Sequence, residues 1–194
     1  MEMIHLLSPS RTAVLIIDVQ QQFCTTTNWG AELPGKISSY VKSISKKPVK
    51  FIYTKSVGDP GRVPQNVQRF REVRGIAAGV LSLEPAAELC PMYFPPERLI
   101  LEKPCFDAFA YTSLGEHLRE RGVFNVLVGG VMTDVCVEAT ARRAVMEGYD
   151  TYILKDLIAA PEDHSLNVTR VLEFFENYYG YVVRSSDVRW AMAD

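Results

Sequence analysis

Charge of one sign is what this sequence most plainly lacks. Its 21 lysines and arginines stand against 23 aspartates and glutamates, a formal net charge of -2, with no block of like charge anywhere. A nucleic acid or an anionic membrane surface therefore has no electrostatic reason to bind it. Long apolar runs are missing too, since none approaches the roughly 20 residues needed to span a bilayer. The opening "MEMIHLLSPSRTAVLIIDVQ" has a short apolar patch but neither a basic start nor a small-residue cleavage site. The four cysteines, Cys24, Cys90, Cys105 and Cys136, lie too far apart for a CxxC zinc or redox motif. With no secretion signal, reduced thiols in a cytoplasm are the expectation. A dinucleotide-binding turn is absent as well: "DVQQQF" follows the first strand where G-x-G-x-x-G would be required.

What remains is the composition of an ordinary globular protein. With 194 residues, 47% of them hydrophobic, and no internal repeat, the chain suits one domain with a real core. Six short β-branched runs read as strands: "AVLIID" (13–18), "VKFIYTK" (49–55), "RLILEK" (98–103), "FNVLVGG" (124–130), "DTYILKD" (150–156) and "GYVVRS" (180–185). Their near-continuous apolar character suits strands buried on both faces of a parallel sheet. Helical patterns fall between them. "TSLGEHLRERG" (112–122) ends at Gly122, and Val137, Ala141, Ala144 and Val145 recur after Thr133 before Gly148. Val168, Leu172, Phe175 and Tyr179 form a further stripe, and "SYVKSISKK" (39–47) a weaker one. The alternation predicts a three-layer α/β/α sandwich around a six-stranded parallel sheet. Residues 56–97 hold six of the 11 prolines and no strand pattern, so this stretch is expected to wall a pocket.

Ligands of open α/β sheets bind beyond the carboxyl ends of the strands. Asp18 ends the first strand, Lys103 the third, and Cys136 follows the fourth by one tight turn. Singly, each has an ordinary explanation: a capping aspartate, a solvated loop lysine, a small core cysteine. Cys136 stands out through its setting. Thr133 is a good N-cap residue, which puts Cys136 in a first helical turn, where free N–H groups and the dipole favour a thiolate. Asp134 opposes that ionisation, and Lys103 would offset it.

Three segments then carry a resemblance. "AVLIIDVQQQF", "LEKPCFDAFAYTSL" and "VLVGGVMTDVCVEATARRAVMEGYD" occur in order, and together the chain resembles the isochorismatase-like cysteine hydrolase superfamily over nearly its whole length. The resemblance implies the isochorismatase-like hydrolase fold, strand order 3-2-1-4-5-6, and a pocket at the switch point between strands one and four. It also implies a homo-oligomer, with 56–97 as a contact. In chemical terms it makes Cys136 the nucleophile, Asp18 the group that takes its proton and returns it to the leaving group, and Lys103 the cation that favours the ionised pair. A cis peptide at Val131–Met132 would let the backbone N–H groups of Met132 and Cys136 face an oxyanion. Met132 stands where many members carry a smaller residue, which bears on pocket width.

Nicotinamidases of this superfamily hold a metal through an Asp and His residues in the loop after the second strand. Here that loop reads "TKSVGDPGRVPQNVQRFREVRG", without histidine, and His5, His117 and His164 fall at the N-terminus or on or beside helices, with solvent-facing roles expected. No metal or other cofactor is therefore expected. Two chemistries remain for a small-molecule substrate. One is hydrolysis of an amide, ureido or carbamoyl C–N bond through a thioester, favoured by the retained Cys136. The tail "NVTRVLEFFENYYGYVVRSSDV" also resembles ureido-type amidohydrolases. The other is cleavage of a vinyl ether by an isochorismatase, with Asp18 as acid. A non-catalytic interaction protein of the same fold would be expected to have lost one of the three residues. Phe23, Phe106, Phe109 and Thr133 are the candidate pocket lining. Arg62, Arg69, Arg71 and Arg74 either hold a substrate carboxylate or form a solvated face.

Overall fold

The computed structural model describes residues 5–24, 29–57, 61–74 and 88–192. The apolar runs form strands β2 (Thr12–Ile17), β3 (Lys50–Ser56), β4 (Arg98–Lys103), β5 (Asn125–Val131), β6 (Asp150–Ala159) and β7 (Tyr181–Val183). They pair in parallel throughout, in the order β4-β3-β2-β5-β6-β7. This is the expected 3-2-1-4-5-6 arrangement. Two three-residue strands that the sequence did not announce, β1 (His5–Leu7) and β8 (Val188–Trp190), make a separate parallel pair.

Alternation along β2 divides the core in two. Val14 and Ile16 face α2 (Leu33–Ile44), whereas Ala13, Leu15 and Ile17 face α4 (Leu114–Glu120) and α5 (Glu138–Met146). Helix α2 starts earlier than its weak pattern suggests, with Pro34 in its first turn. It buries Leu33, Ile37, Tyr40, Val41 and Ile44 along one face. On the other layer, α6 (Ser165–Tyr178) inserts Phe175, which is fully buried. One strand departs from expectation: β4 lies at the sheet edge, with Arg98, Ile100 and Glu102 exposed rather than covered on both faces.

The proline-rich stretch is not wholly irregular. It contains α3 (Gln65–Val73), none of whose residues is buried, so no apolar stripe marks it in the sequence. Positions 58–60 and 75–87 lie outside the described residues, and with them part of the expected pocket wall. Among the described residues no helix is long and apolar enough to cross a membrane.

Register is what positions the site. Ile17 lies opposite Gly130, and Ser56 opposite Lys103, so β2, β4 and β5 deliver their last residues to the same edge of the sheet. Gly130 is required there: its φ is 118°, and a Cβ would sit 2.1 Å from the Ile17 carbonyl oxygen.

Candidate active site

Asp18 leaves β2 with a left-handed φ of 50°, and neighbouring polar groups hold it there. The Thr54 hydroxyl of β3 accepts from the Asp18 N–H at 3.1 Å and donates to Oδ1 at 2.7 Å. Two residues on, the Gln20 amide clamps the end of β3, accepting from the Ser56 N–H at 2.9 Å and donating to its carbonyl at 3.2 Å. Lys103 brings its ammonium to the remaining Asp18 oxygen, Oδ2, at 2.7 Å. It also donates to the Cys105 carbonyl at 2.9 Å and meets the Cys136 sulfur at 3.4 Å. Two of the ammonium's N–H donors go to the Cys105 carbonyl and the Cys136 sulfur, and its contact with Asp18 is an ion pair, Oδ2 having no hydrogen-bond partner. The pairing matters because both side chains are sealed from solvent, 0% and 1% exposed, where an unsatisfied charge would be strongly destabilising. The three sequence-singled residues therefore meet.

Their ionisation differs from the expectation. Burial works to lower the Lys103 pKa, but the Asp18 carboxylate and Cys136 outweigh it, so Lys103 stays charged well above its ordinary range. For Cys136, burial dominates: it pushes the thiol up to about 12, against the lowering effect of Lys103 and with Asp18 adding to the rise. The direction of this shift favours a neutral thiol at rest over the thiolate that a first helical turn suggested.

The Val131–Met132 peptide is cis, as the resemblance implied, but the turn after it is different: Thr133–Val137 forms a π-helical turn that leads into α5. Val135 and Val137 both donate to the Met132 carbonyl, at 3.1 and 3.2 Å, so Met132 rather than Thr133 begins the helix. Thr133 caps nothing; its hydroxyl is buried with no hydrogen-bond partner. Such π-helical insertions recur at functional sites. Asp134 does not face the thiol either. Its carboxylate meets Nδ1 of His164 at 2.9 Å through Oδ2 and 3.2 Å through Oδ1. His164, expected to face solvent, is half-buried in that pair, while the side chain of His5 lies outside the described residues. His117 is likewise half-buried.

The aromatic candidates separate. Phe23, on the short helix α1 (Gln21–Cys24), is half-buried against the α2-side core, as is Trp29. Phe109 is a core residue, with its ring 6.0 Å from that of Tyr149. Phe106 is 38% exposed and lies under the Arg71 guanidinium at 5.7 Å. Of the four arginines, Arg62 pairs with Glu102 at 2.6 Å, Arg74 stacks over Phe70, and Arg69 is exposed. Arg71 reaches the segment after Lys103, where its charge acts on the Cys105 thiol. A groove of about 1250 Å³ between α2 and the β6–β8 side contains none of the three central residues. Among the described residues no group of three His, Cys, Asp or Glu side chains could hold a metal ion; Asp59 of the loop after β3 lies outside them.

The sequence reasoning missed Thr54, Ser56 and the His164 pairing. Thr54 had a faint signal, as a polar residue directly after the apolar run Phe51–Tyr53.

Known proteins resemble the chain in sequence and in fold. The family profile described as Isochorismatase domain matches residues 12–187. The ureidoacrylate amidohydrolase RutB of Acinetobacter baylyi is 28% identical over 87% of this chain and 80% of its own length. A cysteine hydrolase from Pseudomonas syringae superposes with a TM-score of 0.76 at 25% identity, covering 93% of this chain and 92% of that one. A pyrazinamidase of Pyrococcus horikoshii, solved with zinc, gives a TM-score of 0.72 at 25% identity, over 90% and 99% of the two chains.

Proposed function

The chain belongs to the isochorismatase family, and from that premise we propose that it is a hydrolase of a small amide, ureido or carbamoyl C–N bond that works through a thioester on Cys136. The observation that carries this reading is the Lys103 ammonium, 2.7 Å from Asp18 and 3.4 Å from the Cys136 sulfur. A vinyl-ether reaction acidified by Asp18 has no use for the second contact. A thiol nucleophile does.

Because the resting thiol is neutral, proton transfer accompanies attack. Asp18, whose carboxylate pairs with the same Lys103 ammonium that meets Cys136, takes the thiol proton as sulfur bonds to the substrate carbonyl carbon. Lys103 neutralises the charge that passes from carboxylate to sulfur. The carbonyl oxygen becomes an oxyanion facing the backbone N–H groups of Met132 and Cys136. Collapse of that intermediate breaks the C–N bond, and Asp18 gives its proton to the departing nitrogen. Water then attacks the thioester carbonyl while Asp18 accepts its proton; collapse breaks the C–S bond and releases the acid, and Asp18 returns the proton to the Cys136 sulfur.

Similarity to an amidohydrolase of ureidoacrylate supports a ureido acid as the substrate class. Arg71, with no acidic partner among the described residues, is the guanidinium suited to a substrate carboxylate. The test is intact-mass spectrometry during turnover of a carbamoyl amino acid panel. An acyl adduct on wild-type protein that is absent in Cys136→Ala is expected; turnover persisting in Cys136→Ala would replace this reading with vinyl-ether chemistry.

A further inference from the structure

Asp134 lies two residues before Cys136 on the same π-helical turn, so its carboxylate has every opportunity to oppose charge on the sulfur. Instead both of its oxygens are turned to one ring nitrogen, His164 Nδ1, at 2.9 and 3.2 Å. The Asp134 side chain is only 7% exposed. An ionised carboxylate can only accept, so Nδ1 carries the hydrogen in this pair. His164 sits at the N-cap of α6, in the 3-10 turn Glu162–His164, where its own N–H bonds to the Pro161 carbonyl at 3.0 Å. The pair therefore ties the start of α6 to the turn that bears the nucleophile.

Resting on the hydrolase reading above, we propose that His164 is a positioning residue for the reaction: through Asp134 it fixes the π-helical turn and holds that carboxylate away from Cys136. It touches neither substrate nor sulfur. Without the ring, Asp134 is free to swing toward the site, and the turn loses its tie to α6. Both changes act on the step in which sulfur gains negative charge. They leave the ground-state fit of the substrate largely untouched.

The test uses the full chain with His164→Phe, which removes the donor, and His164→Asn, whose side-chain N–H occupies nearly the same place as Nδ1–H. Turnover is normalised to titratable Cys136 thiol, so that unfolded protein does not count. A second readout, the chloroacetamide alkylation rate of Cys136, needs no substrate. His164→Phe should lower kcat about tenfold with KM within about twofold, and slow alkylation in proportion. His164→Asn should restore both most of the way. If His164→Phe does not fold, His164→Ala against His164→Asn makes the same comparison. Wild-type kcat and alkylation rates per thiol, with only the melting temperature lowered, would overturn the proposal, as would an Asn variant no better than Phe. Failure of the hydrolase reading shows separately, as turnover that survives Cys136→Ala.

Discussion

The Thr54 hydroxyl meets Asp18 twice, accepting from its backbone N–H and donating to its carboxylate. One side chain on β3 thereby sets both the left-handed backbone of Asp18 and the direction of its carboxyl group. Replacing it by Val leaves an N–H and an oxygen unpaired in a buried site. Thr54→Val should cost about 1–3 kcal/mol of stability by denaturant unfolding. Turnover should fall about tenfold or more, because the base is no longer aimed. Thr54→Ser keeps the hydroxyl and should retain most of both.

The buried pair makes a contrasting prediction for its two ends. Lys103→Ala strands the Asp18 carboxylate without its cation, and should destabilise the fold by about 3–5 kcal/mol as well as abolish activity. Cys136→Ala removes only the nucleophile, so turnover should drop at least about a thousandfold while the fold survives. Steady-state kinetics beside thermal melts of both variants separates the two effects.

The position of the Cys136 proton can be read from pH. With the thiol pushed up to about 12, alkylation should keep climbing through pH 9 and show no plateau near neutrality. The same shift bears on stability. The native state retains this proton between the ordinary value of 9.0 and about 12, where the unfolded chain releases it. Stability from this group is therefore complete below pH 9 and lost as pH rises through that window. Melting curves should show Cys136→Ala less alkali-sensitive than wild type. A thiol titrating near pH 7 would contradict the assignment of a neutral resting thiol.

Gly130 allows the close approach of β5 to β2. A methyl group there would occupy space 2.1 Å from the Ile17 oxygen, on a backbone that side chains rarely adopt. Gly130→Ala should destabilise the protein by more than about 3 kcal/mol, because neither strand can yield without moving Asp18 or Cys136. Urea unfolding is the measurement, and a change below about 1 kcal/mol would show that the two strands have slack.

Arg71 addresses substrate choice. If it binds a carboxylate, Arg71→Ala should raise KM about tenfold or more for a ureido acid and leave its uncharged amide counterpart nearly unchanged. Equal losses on both compounds would assign Arg71 to the packing of α3 against Phe106.

The legible parts of this molecule were those written in neighbouring residues. β2 and β5 are short apolar runs rich in β-branched residues and β4 a shorter apolar stretch, and their carboxyl ends named Asp18, Lys103 and the cysteine turn. The parts that were not legible depend on distant partners or carry no pattern. Thr54 and Asp18 are 36 residues apart, so their bond is invisible in either local stretch. Helix α3 buries nothing, leaving no periodic signal. Phe109 reads like pocket lining beside Lys103, yet its ring turns into the core. Asp134 illustrates the reverse difficulty: sequence proximity to Cys136 suggested an electrostatic conflict, but direction decided the matter. Its carboxylate points to His164, contributed by a segment 30 residues on.

The small sheet of β1 and β8 brings early and late chain side by side, Leu7 opposite Trp190 in parallel register. Joining Trp190 back to His5 would span only about two residues of strand rise and one strand spacing, which a linker of roughly six residues covers. New ends could be opened at the exposed Gly122 turn between α4 and β5. In such a circular permutant Cys136 would come first along the chain, then Asp18, then Lys103. The sheet that gathers them would be the same, since its order is set by pairing rather than by the direction of reading. A working permutant would make the active site independent of the linear order in which its residues are synthesised.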